Sequence, residues 1–294
     1  AQESRGLGDV YKRQPGMRSN IDVNGINDLL GPGGGSKLVA RNAEAAIKVE
    51  TGMKGVKIMN LMVSGGTEAK NIGIHFVGAT DNGMLSNIIG INLHTGVKIE
   101  QAKNMQIVNC WVCELPNSIE LIGGENIVVK NCQLGAQPTG ITCKVQEVNK
   151  LSFINNQVYP DGRENLVLDA CNNCVIEGNN FKSYYNGILV LNGNDNTVNK
   201  NIFWLTGAVQ NQLLDHGDDF GIINVKGNNN MVASNSLSCE WAYAGAVTVN
   251  AVQGTGNVFK NCFVDNLESY RVFLVNAQTE VSNCVSSDKV SIVE

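Results

Sequence analysis

Ile107-Val108-Asn109-Cys110-Trp111-Val112 and Val129-Lys130-Asn131-Cys132-Gln133-Leu134 are two copies of one phrase: apolar-x-x-Asn/Cys-x-apolar. The phrase returns as Phe153-Ile154-Asn155-Asn156-Gln157-Val158, Ile176-Glu177-Gly178-Asn179-Asn180-Phe181 and Val198-Asn199-Lys200-Asn201-Ile202-Phe203. Later copies run from Val232 to Leu237, Val258 to Phe263 and Val281 to Val285. Their fourth positions form a column: Cys110, Cys132, Asn156, Asn179, Asn201, Asn235, Asn261 and Cys284. The successive differences are 22, 24, 23, 22, 34, 26 and 23. A period of this size means stacked repeats.

A second short apolar run lies in each repeat: Ser118-Ile119-Glu120-Leu121, Gly140-Ile141-Thr142-Cys143, Asn165-Leu166-Val167-Leu168, Gly187-Ile188-Leu189-Val190 and Gly221-Ile222-Ile223-Asn224. Alternating runs bounded by Gly and Asn read as strands. A repeat of 22–26 residues built from such strands has no room for a helix as well. The expectation is an all-β fold, a single parallel β-helix with one repeat per coil. Asn suits tight corners because it tolerates left-handed backbone and bonds its own chain. Stacked Asn side chains can also bond the coils above and below, and small Cys members can stack inside.

Composition agrees with this reading. The chain of 294 residues is 43% hydrophobic but only 6% aromatic, as expected where aliphatic layers fill a solenoid. A net charge of -5 disfavours nucleic acid and anionic membrane as partners. No run is long and apolar enough to span a bilayer as a helix. Residues 1–16 read as a non-native N-terminal artefact, since Ser4 to Gln14 resembles translated sequencing-adapter sequence, and 17–294 as the β-helix domain, truncated at its N-terminus. No secretion signal is visible, so localisation is not readable. The repeat begins faintly at Ser19–Val23 and Leu38–Ala40 and is clear from Val56.

Nine cysteines include two CxxC pairs, Cys110/Cys113 and Cys171/Cys174. A shared zinc site needs both pairs together. They lie about three coils apart, at about 5 Å per coil, so the expectation is reduced structural thiols and no metal. His75, His94 and His216 stand alone, with no HxxH pair. Gly31-Pro32-Gly33-Gly34-Gly35 lacks the Lys-Ser/Thr ending of a phosphate loop. Any chemistry therefore falls to carboxylates, the usual tools for glycosidic bonds. In Ile119-Glu120-Leu121, alternation buries the flanking residues and turns Glu120 outward. Following that column gives Lys98, Glu120, Thr142, Val167, Leu189, Ile223, Thr248 and Phe273, a strip that becomes apolar. A subunit or packed loop is expected to cover it, desolvating Glu120 and raising its pKa toward that of a general acid. The 34-residue interval between Asn201 and Asn235 places an insertion at Trp204–Gly221, a candidate functional loop carrying Asp215, Asp218 and Asp219. Tyr159-Pro160-Asp161-Gly162-Arg163 and Tyr184-Tyr185-Asn186-Gly187 combine aromatic and polar residues at corners, as sugar sites do.

Leu134-Gly135-Ala136-Gln137-Pro138-Thr139-Gly140, Tyr159–Arg163, Tyr184–Ile188 and Asp218–Gly221 through Gly227–Asn230, with Ile119-Glu120-Leu121-x-Gly before them, resemble in order and spacing the inulin fructotransferases, which form difructose anhydrides, and the related difructose-anhydride hydrolases. The resemblance covers roughly residues 56–240. It implies a right-handed β-helix, a homotrimer with active sites between subunits, and no cofactor. It implies a substrate of β-2,1-linked fructan or its dianhydride. One carboxylic acid would protonate the leaving glycosidic oxygen, and a second would assist attack by a neighbouring fructose hydroxyl or by water. Carried over, it implies Glu120 as general acid/base. The chain has Asn109 where an acidic partner is expected, which leaves Glu114 as substitute. Asn109, Asp161, Arg163, Tyr184, Tyr185, Asp218 and Asp219 become substrate contacts. Hydrolase and transferase stay open, because the same acid serves both. A β-helix of another specificity, or a non-catalytic adhesin, is the alternative. Uronate lyases are disfavoured, because they need calcium-binding carboxylates and a basic Lys or Arg on the flank, where the placed segments show only Lys98 and few arginines.

Overall fold

The structure, a computed structural model, describes residues 22–24, 37–40, 43–65, 70–206, 220–239, 247–265, 271–286 and 289–293. Every regular element among them, apart from a single helical turn residue at Lys289, is a strand, and every strand pairing is parallel. The chain is a right-handed parallel β-helix. Each coil visits three sheets in turn. Sheet 1 holds Gln106–Val108, Val175–Glu177, Thr197–Asn199 and their counterparts. Sheet 2 holds Trp111–Leu115, Gln133–Ala136, Asn180–Ser183 and Ile202–Leu205. Sheet 3 runs from Ala45–Val49 through Ile72–Phe76, Ile141–Gln146, Glu164–Asp169 and Leu189–Asn192 to Val290–Val293. The faint early repeats are real rungs: Asp22–Asn24 pairs with Lys57 to Met59, and Lys37–Ala40 with Met62 to Gly65.

The phrase that set the period is the corner from sheet 1 to sheet 2. Its third position is a left-handed corner residue: Asn109 (φ 55°), Asn131 (55°), Asn155 (54°), Gly178 (67°), Lys200 (53°), Ser234 (55°) and Asn261 (54°). Its fourth position points inward. Asn156 Nδ2 donates to Asn179 Oδ1 (3.1 Å), Asn179 to Asn201 (2.9 Å) and Asn201 to Asn235 (3.0 Å). The same oxygens accept the backbone N–H one coil back, as Asn179 Oδ1 does from Asn156 N at 2.8 Å. Each ladder Asn thus satisfies buried backbone that would otherwise cost about 1–3 kcal/mol per group. One member of the expected column is corrected. Asn261 is the exposed corner residue and Cys262 is the buried rung, its N–H meeting Cys284 Sγ at 3.4 Å. The register sets Val232 against Phe259, not Val258.

A second ladder runs where sheet 3 returns to sheet 1. Cys174 N donates to Asn196 Oδ1 (2.8 Å), Asn196 Nδ2 to Asn230 (3.0 Å) and Asn230 Nδ2 to Asn257 (3.1 Å). Between the ladders the core is aliphatic, with one stacked row of rings: Phe153, Phe181 and Phe203, at 6.1 and 5.0 Å between centroids. All nine cysteines are free thiols, and all but Cys239 are buried.

Candidate functional site

The third corner, from sheet 2 to sheet 3, is irregular. Its successive connections are Asn92–His94, Pro116 with Glu114 at the end of the strand before it, Gln137–Gly140, Tyr159–Arg163 and Tyr184–Ile188. Short side chains at the start of sheet 3 hold it in place. Ser118 Oγ donates to Val112 O (2.8 Å) and accepts from Gly135 N (3.1 Å), and Thr142 Oγ1 accepts from Ala136 N (3.2 Å). Backbone bonds stack one loop on the next: Gln137 N to Leu115 O (2.7 Å), Arg163 N to Gly140 O (2.8 Å) and Tyr184 N to Pro160 O (3.2 Å). Gly140 is required by this stacking, since a Cβ there would lie 1.6 Å from Pro116 O.

These loops gather Glu114, Asp161, Arg163, Tyr184 and Tyr185 along one edge of the solenoid. Glu114 is exposed on a left-handed residue (φ 63°), and its carbonyl accepts from Gln137 Nε2 at 3.1 Å. Asp161 is exposed on the next loop but one. Tyr185 is largely buried behind it, and burial first, then the Asp161 charge, pushes its phenol pKa up. Tyr184 is half-buried beside it. Arg163 is exposed, with Nε 3.7 Å from the buried carboxylate of Glu164. The Trp204–Gly221 insertion opens at this corner too: Thr206 N bonds Ser183 O at 2.8 Å, and Phe220 O accepts from Asn186 Nδ2 at 2.9 Å. Asp215, His216, Asp218 and Asp219 lie outside the described residues.

Glu120 stands on sheet 3 beside this edge, half-buried. Its register corrects the expected outward column. Glu120 pairs with Lys98 on one side and Lys144 on the other, and the column continues through Val167, Val190, Asn224, Asn250 and Leu274. Thr142, Leu189, Ile223, Thr248 and Phe273, expected outside, are buried in the interior. Glu120 is therefore flanked by lysines on both neighbouring rungs, and the column turns apolar from Val167 onward. Asn109 is not brought near it. Asn109 is an exposed residue of the corner between sheets 1 and 2, across the coil from sheet 3.

Sequence reasoning passed over the charges on the preceding rungs. His75 occupies the column position below Lys98 and is 4% exposed. Lys98 Nζ lies 2.9 Å from Glu100 Oε1, and His75 Nε2 lies 3.4 Å from the same oxygen. The Lys98 hydrogen bond holds the Glu100 carboxyl below the usual carboxylate range, against a smaller opposing effect of burial. Aligning Gly73-Ile74-His75-Phe76 with Gly96-Val97-Lys98-Ile99 would have exposed this column in the sequence.

Two family models cover the chain. Residues 38–207 match that of the periplasmic copper-binding protein (NosD), and residues 139–292 match the right-handed beta helix region. The chain belongs to the NosD and right-handed β-helix families. Among solved structures, this β-helix is similar to DFA-IIIase of Arthrobacter chlorophenolicus without its lid, at 20% identity and a TM-score of 0.80, covering 94% of this chain and 81% of that one. It is similar to the same protein in complex with GF2, at 20% identity and 0.79, over 93% and 82%. It is also similar to a single-substitution mutant in complex with DFA-III, at 18% identity and 0.79, over 94% and 82%. At these identities the likeness is one of fold. No curated protein matches by sequence.

The copper in the NosD description was tested against the residues present. Among the described residues, no three His, Cys, Asp or Glu side chains gather as metal ligands do. The thiols serve the backbone instead: Cys110 Sγ donates to Val108 O (3.4 Å), Cys113 Sγ to Gln133 O (3.4 Å) and Cys171 Sγ to Asp169 O (3.3 Å). Burial first, then the Glu114 charge, pushes the Cys113 thiol up to about 12, away from a ligating thiolate. The described residues do not fit a copper centre.

Proposed function

We propose that this protein acts on fructan-type sugars along sheet 3 and its irregular corner. It would transfer a fructosyl unit to a neighbouring hydroxyl to close a difructose dianhydride, or deliver water to such a ring. The observation that carries the reading is the alignment of Glu114, Asp161, Arg163, Tyr184 and Tyr185 on one stacked edge beside Glu120. The likeness to DFA-IIIase over 94% of the chain supports it. In this reading Glu120 gives a proton to the leaving glycosidic oxygen. Tyr184, Tyr185, Asp161 and Arg163 hold sugar rings against the edge, and Asp218 and Asp219 add contacts from the insertion. A homotrimer would bring a second subunit against this edge. No cofactor takes part, because proton transfer and orientation suffice.

The test is product chromatography on inulin and, separately, on difructose dianhydride, with wild type beside Glu120→Gln. Dianhydride from inulin, lost in the variant, supports transfer; inulobiose or fructose from dianhydride supports hydrolysis. No turnover of either by folded protein sinks the enzymatic reading. A second reading, a β-helix that binds glycans without turning them over, is favoured by the lysines on both sides of Glu120 and by the distance of Asn109 from it.

A further inference from the structure

We propose that Glu100 is the second carboxylate of the sheet 3 site. It would take the proton from the attacking hydroxyl while Glu120 gives one to the leaving oxygen. The inference rests on the fructosyl-transfer reading. Glu114, the residue picked from sequence to complete the pair, projects from an exposed corner, and Asn109, which stands where an acid is expected, carries none and lies across the coil. Glu100 shares the outer face of sheet 3 with Glu120. Lys98 is the register partner of Glu120, and Glu100 follows Lys98 by two residues, so it is the partner of Ile122. One rung and two residues place the two Cα atoms about 8 Å apart. Two carboxylates on one sheet face at this backbone spacing can flank a single glycosidic bond.

The surroundings of Glu100 are built, not casual. His75 is 4% exposed, and neither ring nitrogen makes a hydrogen bond of ordinary geometry. Its Nε2 lies 3.4 Å from Glu100 Oε1, and its Nδ1 lies 3.8 Å from Glu44. Burying a polar ring in this state costs free energy, which is understandable if Glu100 is to be held in one place. Lys98, on the same strand, holds that same carboxylate oxygen at 2.9 Å. The titratable and charged groups around Glu100 are thus Lys98, His75, Glu44 and, diagonally, Glu120, with Lys48 behind Glu44 at 3.9 Å. A carboxyl held ionised by the Lys98 ammonium can accept a proton. In the step, the attacking oxygen bonds the anomeric carbon and the bond from that carbon to the leaving oxygen breaks. One proton passes to Glu100 and one leaves Glu120, so charge is conserved.

The experiment compares wild type, Glu100→Gln, Glu100→Ala with and without sodium azide, Glu120→Gln and Lys98→Met on inulin and on difructose dianhydride. Initial rates are taken across pH, and folding is checked by thermal unfolding. Glu100→Gln is expected to lower kcat by about 10²–10⁴-fold with KM little changed, and azide to restore part of the loss in Glu100→Ala. In Lys98→Met the acid limb of kcat/KM should move to higher pH, because the bond that depresses Glu100 is gone. That shift reads Glu100 without removing it, and so stands even if the Glu100 variants fail to fold. Full kcat in folded Glu100→Gln, with kcat lost in Glu120→Gln, overturns the assignment and leaves the site reading intact. An acid limb unmoved in Lys98→Met also overturns it. An inactive wild type overturns both.

Discussion

The corner between sheets 1 and 2 and the corner between sheets 2 and 3 carry the same chain through the same solenoid, yet they are built on opposite principles. At the first, every coil from Asn131 to Asn261 uses one left-handed residue and one buried Asn or Cys, and side-chain amides run rung to rung. At the second, the connections vary in length and are stacked by backbone bonds that constrain exposed side chains little. Repetition at the first corner satisfies buried polar backbone, so few residue types are tolerated. The second leaves its outer side chains free to differ from coil to coil, which is where a site can be built on a repeat scaffold. Glu120 and the Tyr184/Tyr185 loop sit on the permissive side.

The sharpest way to break this comparison is to alter one residue on each side. Glu120→Gln should cut turnover of the fructan substrate by about 10²–10⁴-fold, while thermal unfolding moves little. Asn179→Ala should do the reverse. It removes the donor to Asn201 and to Phe153 O and the acceptor for Asn156 N, all buried. A loss of about 2–4 kcal/mol in denaturant unfolding is expected from these combined bonds. If Asn179→Ala were neutral, the ladder would not be what stabilises the first corner. A smaller effect is expected of Tyr184→Ala on the second corner: KM for the sugar up about tenfold, near the 1.4 kcal/mol that a tenfold change represents, with stability nearly unchanged. Smaller still, Ser234→Gly on the first corner should stabilise by roughly 0.5–1 kcal/mol, because its left-handed φ of 55° is one that glycine adopts freely.

A pH series sharpens the contrast further. Glu100 has its folded pKa lowered below the ordinary carboxylate value, so its contribution to stability is present above that value and lost as pH falls through the folded pKa. Acid unfolding curves of wild type and Glu100→Gln should therefore converge as pH drops below the ordinary carboxylate range. No titratable side chain belongs to the Asn156–Asn235 rungs, so Asn179→Ala should leave the shape of the acid limb unchanged.

The fold was legible because its corner signal recurs at fixed period and is polar, so Asn109, Asn131 and Asn155 stand out against the aliphatic strands. The second ladder was less visible: Asn196, Asn230 and Asn257 sit among other asparagines such as Asn194 and Asn228, which stack outside it. The slip from Cys262 to Asn261 came from Val258, an apolar residue facing outward one place before the true start of the phrase. The outward column failed for a related reason. Period-two counting in a strand turns every side chain over with a one-residue error, as it did when Leu189 was chosen over Val190. Ser118 and Thr142 compounded it: they are polar, yet they turn inward to bond the end of sheet 2. Of the candidate site, the corner loops were readable as aromatic-polar clusters. Lys98 was read beside Glu120 and the register agrees, but His75 and Glu100 were not read there, because only the register brings them to that face.

The most direct measurement is a crystal structure of the Glu120→Gln protein soaked with a short inulin oligosaccharide. The account predicts a sugar chain on the outer face of sheet 3, with a glycosidic oxygen beside residue 120 and rings against Tyr184 and Tyr185. Sugar bound to sheet 1 or sheet 2, or no sugar bound at saturating concentration, would contradict it.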